Sequence, residues 1–282
     1  MQRLVEEISQ YARARKPGFV IIPQNGPELA FVGAEPSAAM RESYVQAIDG
    51  FTVEELLYNG TYRPDQARLE VLTNLKALRP IFVADYITDS SLYRAAWDSI
   101  AQQGFVPFIR TPSNYYYELL PPEPPTTNQN AINALREAQN FLYLLNPNRF
   151  PDKQTYIQQL ANRWEDVLII DAEYKGEWLT PQDVALLQKK PNGARRLVIA
   201  YMNIGAAERY RYYWQPNWRL GNPIWIQKPY PGYADEYYVA YWYPEWKSIL
   251  YGSPNAYLDR ILAAGFDGVF LDNVEAYYYL VH

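Results

Sequence analysis

Cysteine is absent from the 282 residues, and histidine occurs once, at His282, the last position. Without Cys there is no disulfide framework, no thiolate zinc site and no thiol nucleophile. Without an internal His, the Ser-His-Asp and Cys-His arrangements lack their base, and His-rich metal sites lack their ligands. No cofactor and no metal are therefore expected, and acid–base chemistry falls to carboxylates, tyrosines or lysines. A Gly-rich phosphate turn is missing too, since neither GxGxxG nor GxxxxGK[ST] occurs. No run of about 18 apolar residues exists, which excludes a membrane-spanning helix. The opening MQRLVEEISQYARARKPG carries Arg3, Glu6 and Glu7 where a signal peptide needs an apolar core. The chain is expected to be cytoplasmic, or secreted or periplasmic if a leader was removed ahead of Met1.

A basic balance is lacking as well. Lys and Arg number 26 against 31 Asp and Glu, a formal charge of −5. Phosphate contacts need a basic patch, so nucleic acid is not an expected partner. What the chain has in excess is aromatic: 27 Tyr, 10 Phe and 8 Trp. Phenols and indoles need hydrogen-bond partners when buried, so many of them should sit at a surface or groove. Hydrophobic residues make up 49%, enough for a sizeable core. The length suits one domain over residues 1–282, expected to be monomeric.

The pattern along the chain alternates between two grammars. Leu4, Val5, Ile8, Tyr11 and Ala12 have helical spacing up to Pro17-Gly18. Short apolar runs at Phe19–Ile22, Tyr44–Ile48, Ile81–Ala84, Phe105–Ile109, Val167–Ile170, Leu197–Ala200, Val239–Trp242 and Gly268–Leu271 read as strands. Helical stretches lie between many of them, at Gln66–Leu78, Leu92–Gln103, Asp152–Asn162, Pro181–Lys190, Glu245–Tyr251 and Asn255–Ala264. Near-continuous apolar strands are the mark of buried parallel sheet, and eight of them predict a (β/α)₈ TIM barrel of class α/β. A doubly wound open sheet is the rival, disfavoured by the missing phosphate turn. Two long loops interrupt the alternation: Thr111–Asn128, with its Pro-rich Pro121–Thr127, and Trp214–Tyr237, with one short strand at Ile224–Gln227. Long loops in barrels belong to the active face.

Residues just past the strand ends are where a barrel places its ligand contacts. They are Gln24 and Asn25, Asp49, Asp85, Asp171, Asn203 with Glu208, Trp242, and Asp272 with Asn273. Any one such Asp also suits a helix N-cap or turn. Taken together, the fold aims them at one point. Carboxylates converging in an aromatic groove, without His or Cys, suggest glycoside hydrolysis. That reaction needs a protonated carboxyl for the leaving oxygen and an ionised one for the anomeric carbon or water. It also needs flat rings to stack on sugar faces. A divalent metal held by several Asp competes, but Mg²⁺ normally comes with phosphate, and basic residues near these Asp are scarce. The loops near Tyr115, Tyr212 and Tyr237 are expected to line the groove, with Tyr201, Tyr212, Trp214 and Trp242 among the sugar contacts. Tyr277–Tyr279 is expected to pack as helix.

Four blocks then carry a resemblance: FVIIPQNGPEL (Phe19–Leu29), AIDGFTVEELLY (Ala47–Tyr58), RRLVIAYMNIGAAERYRYYW (Arg195–Trp214), and VAYWYPEWKSIL with AGFDGVFLDNVEAY (Val239–Leu250, Ala264–Tyr277). Together they resemble the endo-α-1,4-polygalactosaminidase-like family of TIM-barrel glycoside hydrolases, once labelled as cysteinyl-tRNA synthetase relatives. That older label does not suit a chain with no zinc-binding Cys and no basic RNA face. The resemblance implies hydrolysis of α-1,4-linked galactosamine-containing or related polysaccharide. It carries over Asp171, Glu208 and Asp272 as catalytic positions. Glu208 is expected as general acid/base, Asp171 as nucleophile or base, and Asp272 as an orienting or amine-binding group. Arg211 is expected to keep one carboxylate ionised. Glu275 departs from the family, which often has Asp there. The alternative is a carbohydrate-binding barrel without turnover.

Overall fold

A computed structural model describes residues 1–281; His282 lies outside the described residues. Eight parallel strands form its centre: β1 (Val20–Pro23), β2 (Phe51–Tyr62), β3 (Ile81–Ile87), β4 (Val106–Arg110), β5 (Phe141–Leu144), β6 (Val167–Ile170), β7 (Leu197–Asn203) and β8 (Gly268–Asp272). They pair as a five-stranded sheet in the order β1-β8-β7-β6-β5 and a three-stranded sheet in the order β2-β3-β4. Strands such as VLII and LVIAYMN are buried along their whole length, as parallel strands covered on both faces must be. The two sheets join at β1 and β2 through a parallel bridge, Gln24 to Thr52, where Asn25 N–H donates to the Thr52 carbonyl at 2.7 Å. At the other seam β4 and β5 meet through rings: Phe108 lies 5.4 Å from Phe141, and Phe82 lies 5.2 Å from Phe141. Among the described residues no hydrogen-bonded ladder joins β4 to β5, so the backbone does not close into a continuous ring. Tyr143 and Phe270 continue the ring layer, 5.1 Å apart.

Two of the eight expected strands are elsewhere, and one is absent from the expectation. Tyr44–Ile48 falls mostly in a short helix, Glu42–Ala47. Its apolar residues lie one, three and four apart, which suits a helix face better than alternation. The strand begins at Phe51 instead. Val239–Trp242 is not a barrel strand. Glu236–Val239 forms an antiparallel sheet with Ala206–Glu208 and Ile226–Pro229, above the end of β7. Phe141–Leu144, unassigned in the sequence, is β5. Only 3₁₀ turns lie between it and β4, so no helix announces it.

Helices flank the strands. α1 (Gln2–Arg15) buries Leu4, Val5, Ile8 and Ala12, the face expected from spacing. The helices Gln66–Leu75, Tyr93–Gln102, Lys153–Ala161, Pro181–Leu187, Pro244–Leu250 and Tyr257–Ala264 follow. Several begin on a side-chain cap. Asp152 accepts from Thr155 N–H at 2.7 Å, and Thr180 and Asp183 cap each other's backbone N–H groups. Such caps satisfy N–H groups that the first helical turn leaves free. Among the described residues no helix is long and apolar enough to cross a membrane.

Candidate active site

A cleft of about 1230 Å³ opens over the C-terminal ends of the strands. At its floor β7 and β8 run side by side, with Asp272 opposite Asn203 and Phe270 opposite Tyr201. Tyr201 OH donates to Asp272 Oδ2 at 2.7 Å and lies 3.4 Å from Glu208 Oε1, so those two carboxylate oxygens are within about 6 Å of each other. Burial and the neighbouring carboxylates raise the Tyr201 phenol well above its ordinary range, which keeps it a donor.

Arg211 is the organising cation. Its Nη1 and Nη2 donate to the two oxygens of Asp171, at 2.9 and 2.8 Å. Its Nε donates to Glu208 Oε2 at 2.8 Å. A planar guanidinium fixes such forked geometry in a way that a Lys would not. Glu208 Oε1 also accepts from Tyr210 OH at 2.7 Å. Asp171 Oδ1 accepts the Glu173 N–H at 2.9 Å. The short strand Ala206–Glu208 turns Glu208 inward because Gly205 lets it pass close to β8: a Cβ on Gly205 would sit 2.0 Å from the Asn273 carbonyl oxygen.

Burial shifts several of these acids upward. Asp272 is raised to about 6, first by desolvation and then by Glu54 and Glu208, against the donors Tyr201 and Asn273 N–H. Glu173 rises to about 7 by burial, with Arg211 opposing. Glu236 rises to about 8 by burial and the charges of Glu208 and Asp272. Glu275, at the cleft rim, rises to about 7, again chiefly by burial. Titratable groups displaced this far cluster at functional sites more often than elsewhere. Among the described residues no group of three or more His, Cys, Asp or Glu is arranged to hold a metal ion.

Of the residues expected from sequence, the cleft brings together Asp171, Glu208, Asp272, Gln24, Asn25, Tyr201, Arg211 and Asn273. It does not bring in the other six. Asp49 precedes β2 at the opposite end of the strands, accepting from Ile21 N–H and Arg13, each at 2.8 Å. Its misplacement follows from the misread strand. Asp85 is fully buried in β3 and accepts the N–H groups of Leu56, Leu57 and Tyr58. Those are groups that the irregular register between Glu54 and Asn59 takes off the β2–β3 ladder. Asn203 accepts from Ala206 N–H at 2.8 Å, below the cleft surface. Tyr212 lines a separate groove of about 590 Å³. Trp214 stacks on Tyr237, 5.7 Å between ring centres, and Trp242 is exposed outside the cleft.

The groove's aromatic wall is thus partly different from expectation. Tyr115, Tyr116 and Tyr117 do line it, with Tyr210, Tyr230 and Tyr233. The loops near Tyr212 and Tyr237 reach it through Tyr210, Arg211, Tyr230, Tyr233 and Glu236, while the Tyr212 and Tyr237 rings themselves lie outside it. Tyr277 OH donates to Glu28 at 2.8 Å and Tyr279 stacks on Tyr238, so the C-terminal tyrosines lie on a helix as expected, with Tyr277 half-buried and Tyr278 and Tyr279 exposed. The sequence reading missed Glu54, Glu173, Glu236 and Tyr143. Glu54 accepts a short hydrogen bond from Tyr117 OH. It was hidden by the displaced β2. Glu173 carried a usable signal: two residues past Asp171, an extended chain returns to the same face.

The chain is similar to three proteins of known sequence. A protein of Thermotoga maritima is 36% identical over 109 residues, 39% of this chain and 31% of its own length. One of Deinococcus radiodurans is 43% identical over 98 residues, 35% and 30% of the two lengths. One of Methanocaldococcus jannaschii is 32% identical over 154 residues, 54% and 41%. All three are named as uncharacterized proteins, and the chain spans between about a third and two fifths of their length. The profile of glycoside-hydrolase family GH114 matches residues 122–280, a span that contains the three strand-end acids and Arg211. With more than half of its length matched, the chain belongs to glycoside-hydrolase family GH114.

Proposed function

We propose that the chain hydrolyses glycosidic bonds in an α-1,4-linked galactosamine-containing or related amino-sugar polysaccharide by a two-carboxylate mechanism. The observation that carries this is Arg211, which holds Asp171 and Glu208 in hydrogen-bond contact with one guanidinium at the cleft wall. Glu208 donates a proton to the leaving oxygen and later takes one back. Asp171 provides the charge facing the anomeric carbon, as nucleophile or as base toward water. Asp272, tied to Glu208 through Tyr201, orients the pair and faces the sugar amine. We read the eight strands as a (β/α)₈ barrel with an unladdered β4–β5 seam.

The substrate class rests on charge. Nine carboxyl groups and five cationic side chains line the cleft, and with Glu236 neutral the remaining acids still outnumber the cations, a surplus that attracts a cationic, partly deacetylated polymer. The tyrosines offer ring faces for stacking. Purified protein is expected to release oligosaccharides from α-1,4-galactosamine polymer. Asp171→Asn and Glu208→Gln are each expected to lower that rate by about 100-fold or more, measured well below the unfolding midpoint because each change takes one charge from the buried Arg211 pairing. Full activity in both variants would refute the assignment. A second reading, a sugar binder without turnover, is favoured by one detail: both Asp171 oxygens are already occupied by Arg211. Binding to the polymer with no product released would support it.

A further inference from the structure

Glu236 lines the same cleft as Glu208, and the local backbone explains why. Ala206–Glu208 pairs antiparallel with Glu236–Val239, and Glu208 stands directly opposite Glu236 in the register. Opposed residues in such a pair project from one face, with Cβ atoms about 5 Å apart. Two carboxylates so placed repel strongly when both are charged, so the pair retains one proton near neutral pH.

The donors around the pair are unequally shared. Glu208 has Arg211 Nε at 2.8 Å and Tyr210 OH at 2.7 Å. Glu236 has no ion pair or side-chain hydrogen bond among the described residues. The other charges facing it are Asp272 from β8 and Asp235 beside it, which disfavour its ionisation, and Arg211, which opposes them. The nearby phenols Tyr201, Tyr210, Tyr230 and Tyr233 are all shifted upward and remain neutral. The third strand contributes Lys228, which is opposite Tyr238 rather than Glu236. The shared proton therefore rests on Glu236.

We propose that Glu236 and Glu208 work as one proton-sharing pair, in which Glu236 stores the proton that Glu208 delivers to the leaving sugar oxygen. This rests on the hydrolase reading above and adds a positioning residue to it. The proton passes from the Glu236 carboxyl through one bridging water to the Glu208 carboxylate, leaving Glu236 charged. Glu208 then gives it to the glycosidic oxygen as the C–O bond breaks. Water supplies hydroxide to the anomeric carbon and returns its other proton to the pair.

The test is the pH dependence of kcat/KM on α-1,4-galactosamine polymer. In the wild-type protein the rate is expected to stay flat from pH 5 to 7, because the pair as a whole keeps one proton across that range. In Glu236→Gln the stored proton is lost, and the rate is expected to fall about tenfold from pH 6 to 7. Glu236→Asp is expected to restore the plateau. A uniform loss at every pH, or a profile matching wild type, overturns the proposal. Infrared difference spectra of wild type and Glu236→Gln at pH 7, without substrate, provide a readout that needs no turnover. Loss of one carboxylic-acid carbonyl band supports the shared proton, and no loss overturns it. A protein that shows the band yet cleaves nothing refutes the hydrolase reading alone.

Discussion

Five buried or half-buried acids set the protein's response to pH. Burial raises Asp85 and Asp272 to about 6, Glu173 and Glu275 to about 7, and Glu236 to about 8. In the unfolded chain such groups titrate near 4. Between those values the folded protein binds more protons than the unfolded one, so stability declines as pH rises. The stabilisation from the neutral forms is complete below about pH 4, falls as pH rises from there, and is gone above about pH 8. Salt-bridged acids such as Glu6 and Glu7, shifted downward, act in a separate window below the ordinary carboxylate range. The midpoint of thermal unfolding is therefore expected to be lower at pH 8 than at pH 5.5, and Glu275→Gln to make that decline shallower. A midpoint that rises over this interval would refute the account. At this scale the sequence revealed the strand-end acids Asp171, Glu208 and Asp272 because each follows or ends near an apolar run. It did not reveal Glu236, whose place depends on a cross-strand register that no local spacing encodes.

At the scale of elements, two glycines decide how closely the strands approach. A Cβ on Gly268 would lie 2.4 Å from the Val20 carbonyl oxygen, between β8 and β1. A Cβ on Gly205 would press on Asn273 and Ala276, next to Asp272. Gly268→Ala is expected to destabilise the fold by about 1–3 kcal/mol, read by denaturant unfolding. Gly205→Ala is expected to lower activity as well, because it displaces the Asp272–Asn273 turn. An alanine variant at either site as stable as wild type would show that the backbone gives way easily. These glycines fall within the IGAAERYR and GFDGVFLD blocks, so those motifs describe close backbone approach as much as chemistry. Strands β1, β3, β4, β6, β7 and β8 were legible because their burial on both faces leaves unbroken apolar runs. β2 was not, since Glu54 and Glu55 interrupt it, where the chain bulges and Glu55 takes φ +54°. β5 was not, because the long connection before it lacks the helix that marks a repeat.

Across the whole molecule, the candidate site and a set of ion pairs occupy opposite ends of the strands, the division expected if the cleft is the active face. At the N-terminal end three acids precede strands, and each accepts a backbone N–H and a cation. Asp49 has Arg13, Asp166 has Lys190, and Asp267 has Arg195. The Lys190–Asp166 pair is fully buried, and Lys190 Nζ also donates to the Asn128 and Asn130 carbonyls at 2.7 and 2.8 Å. It thereby fastens the long connection ahead of β5 to the base of the sheet. Lys190→Met is expected to cost about 3–5 kcal/mol by leaving a buried charge without its cation. Its kcat at low temperature is expected to equal that of wild type, and a selective loss of kcat would contradict the division. The cleft's composition has an optical consequence. Eight tyrosines line it, while among the described residues none of the eight tryptophans does. A sugar entering the cleft should therefore leave indole emission nearly constant and perturb phenol absorption instead, so near-ultraviolet difference spectra are the natural reporter of occupancy.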